Sequence, residues 1–156
     1  MQTTIEETGE ILVVAVPHKG PFNQIGDAFN RMGKLLEGLM ADHSDKMGPG
    51  IGIYYFNTTS GPEEEWESHA GVIWNGPTDN LPEGLEVVRI PAGRRAVLRH
   101  DGPYDGIPDT WKKLHQEIVK ERGETPAGGM CYEVYLNNPM NTPAEDLQTD
   151  LCQPIA

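Results

Sequence analysis

Cysteine is scarce in this chain, and basic charge nearly so. Two cysteines among 156 residues, Cys131 and Cys152, cannot build a disulfide framework or a four-ligand zinc site. Both are expected as free thiols behaving as small buried hydrophobes. Twelve basic residues stand against 24 acidic ones, a formal net charge of −12. A surface of that sign repels phosphate, so direct, sequence-independent binding of nucleic acid is excluded. No apolar run nears the roughly 18 residues of a membrane span. In place of the positive start of a secretory signal stand Glu6, Glu7 and Glu10. These absences point to a cytoplasmic, reducing setting. The five histidines, His18, His43, His69, His100 and His115, never fall at i, i+3 or i+4, and no Cys/His cluster forms, so no metal site is expected. Phosphate-cradling and dinucleotide-binding loops are missing, as is a serine elbow, and no cofactor is expected.

What is present is a repeat. Val13 to Phe22 (VVAVPHKGPF) is echoed by Arg95 to Tyr104 (RAVLRHDGPY), and each copy is followed at the same offset by an isoleucine, Ile25 and Ile107. Both read as a strand closed by His-x-Gly-Pro-aromatic, half a chain apart. After each motif the apolar spacing is helical: Ile25, Phe29, Met32, Leu35, Leu36 and Leu39 in the first copy, Ile107, Trp111, Leu114 and Ile118 in the second. Pro108 suits a first helical turn, and Gly123 suits a C-terminal cap. Gly26, Gly33 and Gly38 in the first helix each cost about 1 kcal/mol against alanine; they suggest either close packing on a sheet or flexibility. Strands follow at Ile51–Asn57 and Cys131–Asn137, then near Ala70–Asn75 and Gln148–Ile155, with a further one at Leu85–Ile90. The expected fold is α+β: tandem βαββ modules, about residues 5–80 and 85–155 of a single domain, forming a curved antiparallel sheet with two helices on one face. The acidic run Glu63 to Glu67 reads as a solvated loop, and His18 and His100 read as turn-fixing residues.

The informative position is where the repeat fails. Aligning Asn57 with Asn137 sets Ile53 opposite Glu133 and Tyr55 opposite Tyr135. A carboxylate thus replaces an aliphatic residue in a central strand. Burying it unpaired is expensive, so Glu133 either faces water or faces something that compensates it. Strand alternation puts Cys131, Glu133, Tyr135 and Asn137 on one face. A carboxylate among tyrosines on an inner surface suits a cation-recognising pocket, with about 0.5–2 kcal/mol from each cation–π contact. Trp111 on the helix and Trp74 in a strand read first as core and second as walls of such a pocket.

The twin His-Lys-Gly-Pro-Phe and His-Asp-Gly-Pro-Tyr motifs, Ile90 to Arg94 (IPAGR), Tyr132 to Asn137 (YEVYLN) and Leu147 to Leu151 (LQTDL) together resemble the GyrI-like small-molecule-binding domain. That domain also serves as the effector-binding domain of AraC- and MerR-type regulators. The resemblance runs from about Ile5 to Ile155. It implies two pseudo-symmetric βαββ modules with a pocket between them, and a glutamate in the Glu-x-Tyr strand, here Glu133, that attracts lipophilic, aromatic cations. It implies a small molecule as partner, bound by Glu133, Tyr55, Tyr135, Trp111 and Trp74, for xenobiotic sensing or sequestration. It leaves two other readings open. One is hydrolysis of cyclopropanoid genotoxins with Glu133 and a tyrosine, Tyr55 or Tyr135, as catalytic residues. The other is a protein-interaction role of gyrase-inhibitor type. No helix-turn-helix precedes Met1, so a direct DNA-binding regulator is not expected from this chain.

Overall fold

The computed structural model describes residues 3–156. The α+β expectation holds: the described residues form two helices and eight strands, and every pairing given below is antiparallel. They divide into two compact units, a leading unit Glu10–Pro91 and a trailing unit of Met1–Gly9 with Ala92–Ala156.

The chain opens with β1 (Thr4–Thr8), a strand that the sequence pattern did not announce, because TIEET has no alternation and little apolar content. β2 (Ile11–Lys19) is followed by α1 (Gly26–His43), β3 (Met47–Tyr55), β4 (Glu67–Trp74) and β5 (Glu86–Ile90). The second copy runs β6 (Gly93–Asp101), α2 (Ile107–Gln116) with a π-helical continuation over Glu117–Glu121, β7 (Met130–Tyr135) and β8 (Gln148–Ile155). In the leading unit the strands are ordered β3-β4-β2-β5, and in the trailing unit β1-β6-β8-β7. Each repeat therefore lends its first strand to the other unit. Thr4 to Thr8 pair with Val97 to Gly93, and Glu86 to Ile90 pair with Ala15 to Ile11.

One face of each sheet packs on its helix. In the trailing unit Ala96, Leu98, Leu151 and Ile155 meet Ile107, Leu114 and Ile118 of α2, joined by Ile5, Tyr104 and Trp111. In the leading unit Ala28, Met32 and Leu36 are the buried residues of α1. Burying a leucine or isoleucine stabilises by about 1.5–3 kcal/mol against leaving it in water. The α1 glycines correct one expectation: a Cβ built at Gly26, Gly33 or Gly38 would meet nothing within 4 Å. They face open space, so close approach to the sheet is not why they are glycines. Gly123 has φ +66° and closes the second helical segment, as its position suggests. Cys131 and Cys152 are both free and 1% exposed.

Candidate functional site

The two His-x-Gly-Pro-aromatic turns are built alike. His18 Nε2 lies 3.2 Å from the Pro21 carbonyl, and His100 Nε2 lies 2.8 Å from that of Pro103. Gly20 N–H donates to the Trp66 carbonyl and Gly102 N–H to that of Leu147, each at 2.8 Å. Gly20 and Gly102 have φ +134° and +113°, a region in which L side chains are strained. The histidines hold turns, and the turns set where each helix starts.

Those bonds also fix how the repeats superpose. His18 pairs with Ser68 and His100 with Thr149. Two residues further along, Ala70 pairs with Gly52 and Leu151 with Glu133. The counterpart of Glu133 is therefore Gly52, not Ile53, and the counterpart of Tyr135 is Tyr54, not Tyr55. The aromatic contacts agree: Phe22 packs edge-on to Tyr54 with centroids 5.2 Å apart, and Tyr104 meets Tyr135 at 5.6 Å. The asparagine alignment slipped because the two connections cap the next strand differently. The first amide of β8, Gln148 N–H, donates to Asn137 Oδ1 at 2.9 Å. In the leading unit Glu67 N–H donates instead to Thr58 Oγ1 at 3.0 Å, after an added turn at Phe56–Thr58. A slip of one residue moves every side chain of a strand to the other face.

With the register corrected, Glu133 lies on the helix-bearing face of the trailing unit and is 7% exposed. Its carboxylate accepts hydrogen bonds from two aromatic side chains of this unit. Trp111 Nε1–H, on α2, donates to Oε2 at 2.7 Å. The Tyr135 hydroxyl, two residues along the strand, donates to Oε1 at 2.8 Å. Charge-assisted bonds of this length are roughly twice as strong as neutral ones. Trp111 is in turn backed by His115, one helical turn on, with ring centroids 5.7 Å apart. His115 Nε2 lies 3.3 Å from Gln153 Oε1, and Gln153 Nε2 donates to the Pro154 carbonyl at 2.9 Å. The negative charge reaches its neighbours. Burial first, and the Glu133 carboxylate second, push up the Tyr104 hydroxyl and the Cys131 thiol.

The structure thus gathers Glu133, Tyr135 and Trp111, and adds Tyr104 and His115, which the sequence reading left outside the site. For His115 the signal was available in its i, i+4 spacing from Trp111. Tyr55 and Trp74 belong to the leading unit. The Tyr55 hydroxyl lies 2.8 Å from His69 Nδ1 and is pushed up to about 12 by burial and then by Glu86 and Glu67. Register places it with Ile53 and His69 on the face opposite Ser68 and Tyr54. Trp74 is 2% exposed, packs against His43, and donates from Nε1 to the Pro77 carbonyl at 3.0 Å. Trp66, in the acidic loop, donates to the Gly61 carbonyl at 3.1 Å and packs on Phe22. Among the described residues no group of three His, Cys, Asp or Glu is placed to hold a metal ion, and no helix is long and apolar enough to cross a membrane.

Comparison with known proteins gives this geometry a context. The family model of the GyrI-like small molecule binding domain matches residues 1–156. A DNA gyrase inhibitor of Erwinia billingiae is 38% identical over 99 residues, which are 59% of this chain and 61% of that protein. The chain therefore matches about three fifths of that relative's length. Among solved structures, the C-terminal domain of EcmrR superposes with a TM-score of 0.78 at 18% identity, covering 99% of this chain and 97% of that one. SAV2435 bound to tetraphenylphosphonium superposes at 0.68 and 13% identity, covering 100% and 94%.

Proposed function

This chain belongs to the GyrI-like small-molecule-binding domain family, and from that premise we propose that it binds lipophilic, aromatic cations with Glu133 as the anionic anchor. The observation that carries the reading is the buried carboxylate held by an indole and a phenol, Trp111 and Tyr135. Both donors are aromatic. They fix the carboxyl group beside ring faces, where a cation gains about 0.5–2 kcal/mol from each ring it covers. Tyr104, in contact with Tyr135, extends the aromatic wall. A large cation with delocalised charge needs no hydrogen bond of its own, so it can take a donor's place on the carboxylate through charge and ring contact. The tetraphenylphosphonium carried by SAV2435 has that chemistry and is the natural probe. Sensing or sequestration of such compounds is the function that this site supports best.

The test is direct titration. Tetraphenylphosphonium and a rhodamine-type dye are expected to quench tryptophan emission of the wild type. Glu133→Gln, which keeps shape and hydrogen-bonding capacity, should lose the cations and keep neutral aromatic compounds. Equal affinity of wild type and variant for the cations would end the proposal.

The pairing of a carboxylate with a phenol at 2.8 Å favours one second reading. In hydrolysis of a cyclopropanoid, Glu133 would orient or deprotonate the water and a tyrosine would donate to the leaving phenolate. Of the two tyrosines that the sequence offers as donor, Tyr135 is the one bonded to Glu133. Mass spectrometry of a cyclopropanoid drug incubated with the protein decides it: a water adduct that forms no faster than in buffer excludes catalysis.

A further inference from the structure

The geometry points to β1 as the element that reports occupancy of the Glu133 site, through α2. This inference rests on the reading of Glu133 as a ligand anchor. α2 is held by Thr110 on His100 and by His115 on Gln153, and at two further places. At one, the Trp111 indole is held to Glu133 on β7. At the other, its π-helical continuation is clamped to the start of β1. Thr3 N–H donates to Glu117 Oε2 at 3.3 Å, and Thr3 Oγ1 donates to the same oxygen. Arg122 Nη2 donates to the Thr3 carbonyl at 2.6 Å. The backbone at this end is wound one residue wide, with Arg122 N–H on the Glu117 carbonyl. Such π turns are uncommon, cluster at functional sites and mark places where helical register can change.

Between the two holds, Leu114 and Ile118 are 0% exposed and pack on Ala96, Leu98 and Leu151. That close-packed segment transmits a displacement rather than absorbing it. The indole is bonded to Glu133 Oε2, and a cation seated on that oxygen in its place displaces Trp111, and with it the helix. Thr3 is 1% exposed, and its clamp cannot follow a shift of α2 without breaking a bond. β1 has strand partners on β6, and the residue just before it, Thr3, is the one that the clamp secures. Binding at Glu133 therefore loosens β1. By linkage the reverse holds as well: releasing β1 lowers the cost of moving α2 and tightens binding by the same factor.

Hydrogen exchange tests this in the full chain. Saturating tetraphenylphosphonium should speed exchange of the Ile5 to Thr8 amides by about tenfold while β8 stays protected. Trp111→Phe, which removes only the indole donor, should speed the same amides without any ligand. Thr3→Val, which removes the hydroxyl donor, should raise the affinity for the probe several-fold. If the wild type does not bind the cation, the functional reading fails, and the Trp111→Phe exchange alone decides the coupling. If the cation binds but β1 exchange stays within twofold in both the complex and Trp111→Phe, the coupling is wrong and the binding reading stands.

Discussion

The two units carry the same turns, the same strand order and different chemistry at one spot. In the trailing unit Glu133 meets Trp111 and Tyr135. In the leading unit the matching positions are Gly52, Phe29 and Tyr54, assigned by strand register and by the helical step from Ile25 and Ile107. A glycine and a phenylalanine offer neither charge nor a donor. Duplication preserves what makes the fold, the His-x-Gly-Pro turn and the apolar helix stripe, because both copies need it. The leading unit folds with a glycine in place of the buried carboxylate, whose desolvation is costly. Its presence in one copy alone argues for a ligand rather than for packing.

The hardest blow to that contrast is Glu133→Gln. Truncating one partner of a buried charge pair costs about 2–5 kcal/mol of binding, so cation affinity should fall by roughly thirtyfold or more. Thermal unfolding of the unliganded variant should stay close to wild type, since the amide oxygen still accepts from Trp111 and the amide NH2 can donate to the Tyr135 hydroxyl oxygen. A large loss of stability without loss of binding would mean that the carboxylate serves the core.

Alkaline pH should separate the units next. In the trailing unit burial pushes the Cys152 thiol and the Tyr132 hydroxyl each up to about 12 and raises the Cys131 thiol well above its ordinary value. In the leading unit Tyr55 is pushed up to about 12 as well. A raised folded-state pKa means stability that is intact below the unfolded value and lost as pH climbs toward the folded one. For Cys152, from 9.0 to about 12, the loss reaches about 2–3 kcal/mol near pH 11, at 1.36 kcal/mol per unit. Exchange protection in β6–β8 should therefore fall before that in β2–β4 between pH 9 and 11. Simultaneous loss would show that the units melt as one.

Much of this was legible in the sequence, for identifiable reasons. The duplicated turns are local: histidine, glycine, proline and an aromatic fix backbone within five residues, so the motif alone reveals them. Glu133 stood out because a charge inside a strand violates the apolar pattern. The register of β3 was not legible, since it hangs on whether Asn137 or Thr58 caps the following strand, a contact that forms only after folding. Nor was the exchange of β1 and β5 between repeats. Both are short strands whose partners lie far along the chain, and TIEET carries no alternation to announce them. Tyr55 was assigned to the site by the same one-residue slip.

Making the trailing unit resemble the leading one sharpens the comparison further. Trp111→Phe installs the residue found at the matching place on α1. A hydrogen bond to a charged group contributes about 1.5–3 kcal/mol, and its loss leaves Glu133 under-satisfied in the free protein. The variant should unfold at a lower temperature, yet bind tetraphenylphosphonium at least as tightly, because the cation no longer has to displace an indole donor. Weaker binding would instead make Trp111 a direct wall of the ligand site.

The smallest expected effect falls on the leading unit and concerns its helix. Gly33 and Gly38 sit inside α1, exposed, with open space where a Cβ would be. Their backbone angles are helical, so alanine fits without strain and removes the excess freedom that glycine gives the unfolded chain. Each change to alanine should add about 0.5–1 kcal/mol, which for a protein of this size raises Tm by roughly 2–4 °C per kcal/mol. Ala28 and Met32, which face the sheet, are untouched by either change. If α1 is only a scaffold, Gly33→Ala with Gly38→Ala will stabilise the protein and leave cation affinity unchanged. Stabilisation accompanied by weaker binding would show that a loose α1 is part of how the ligand enters, and the leading unit would then share in a function that its residues alone do not suggest.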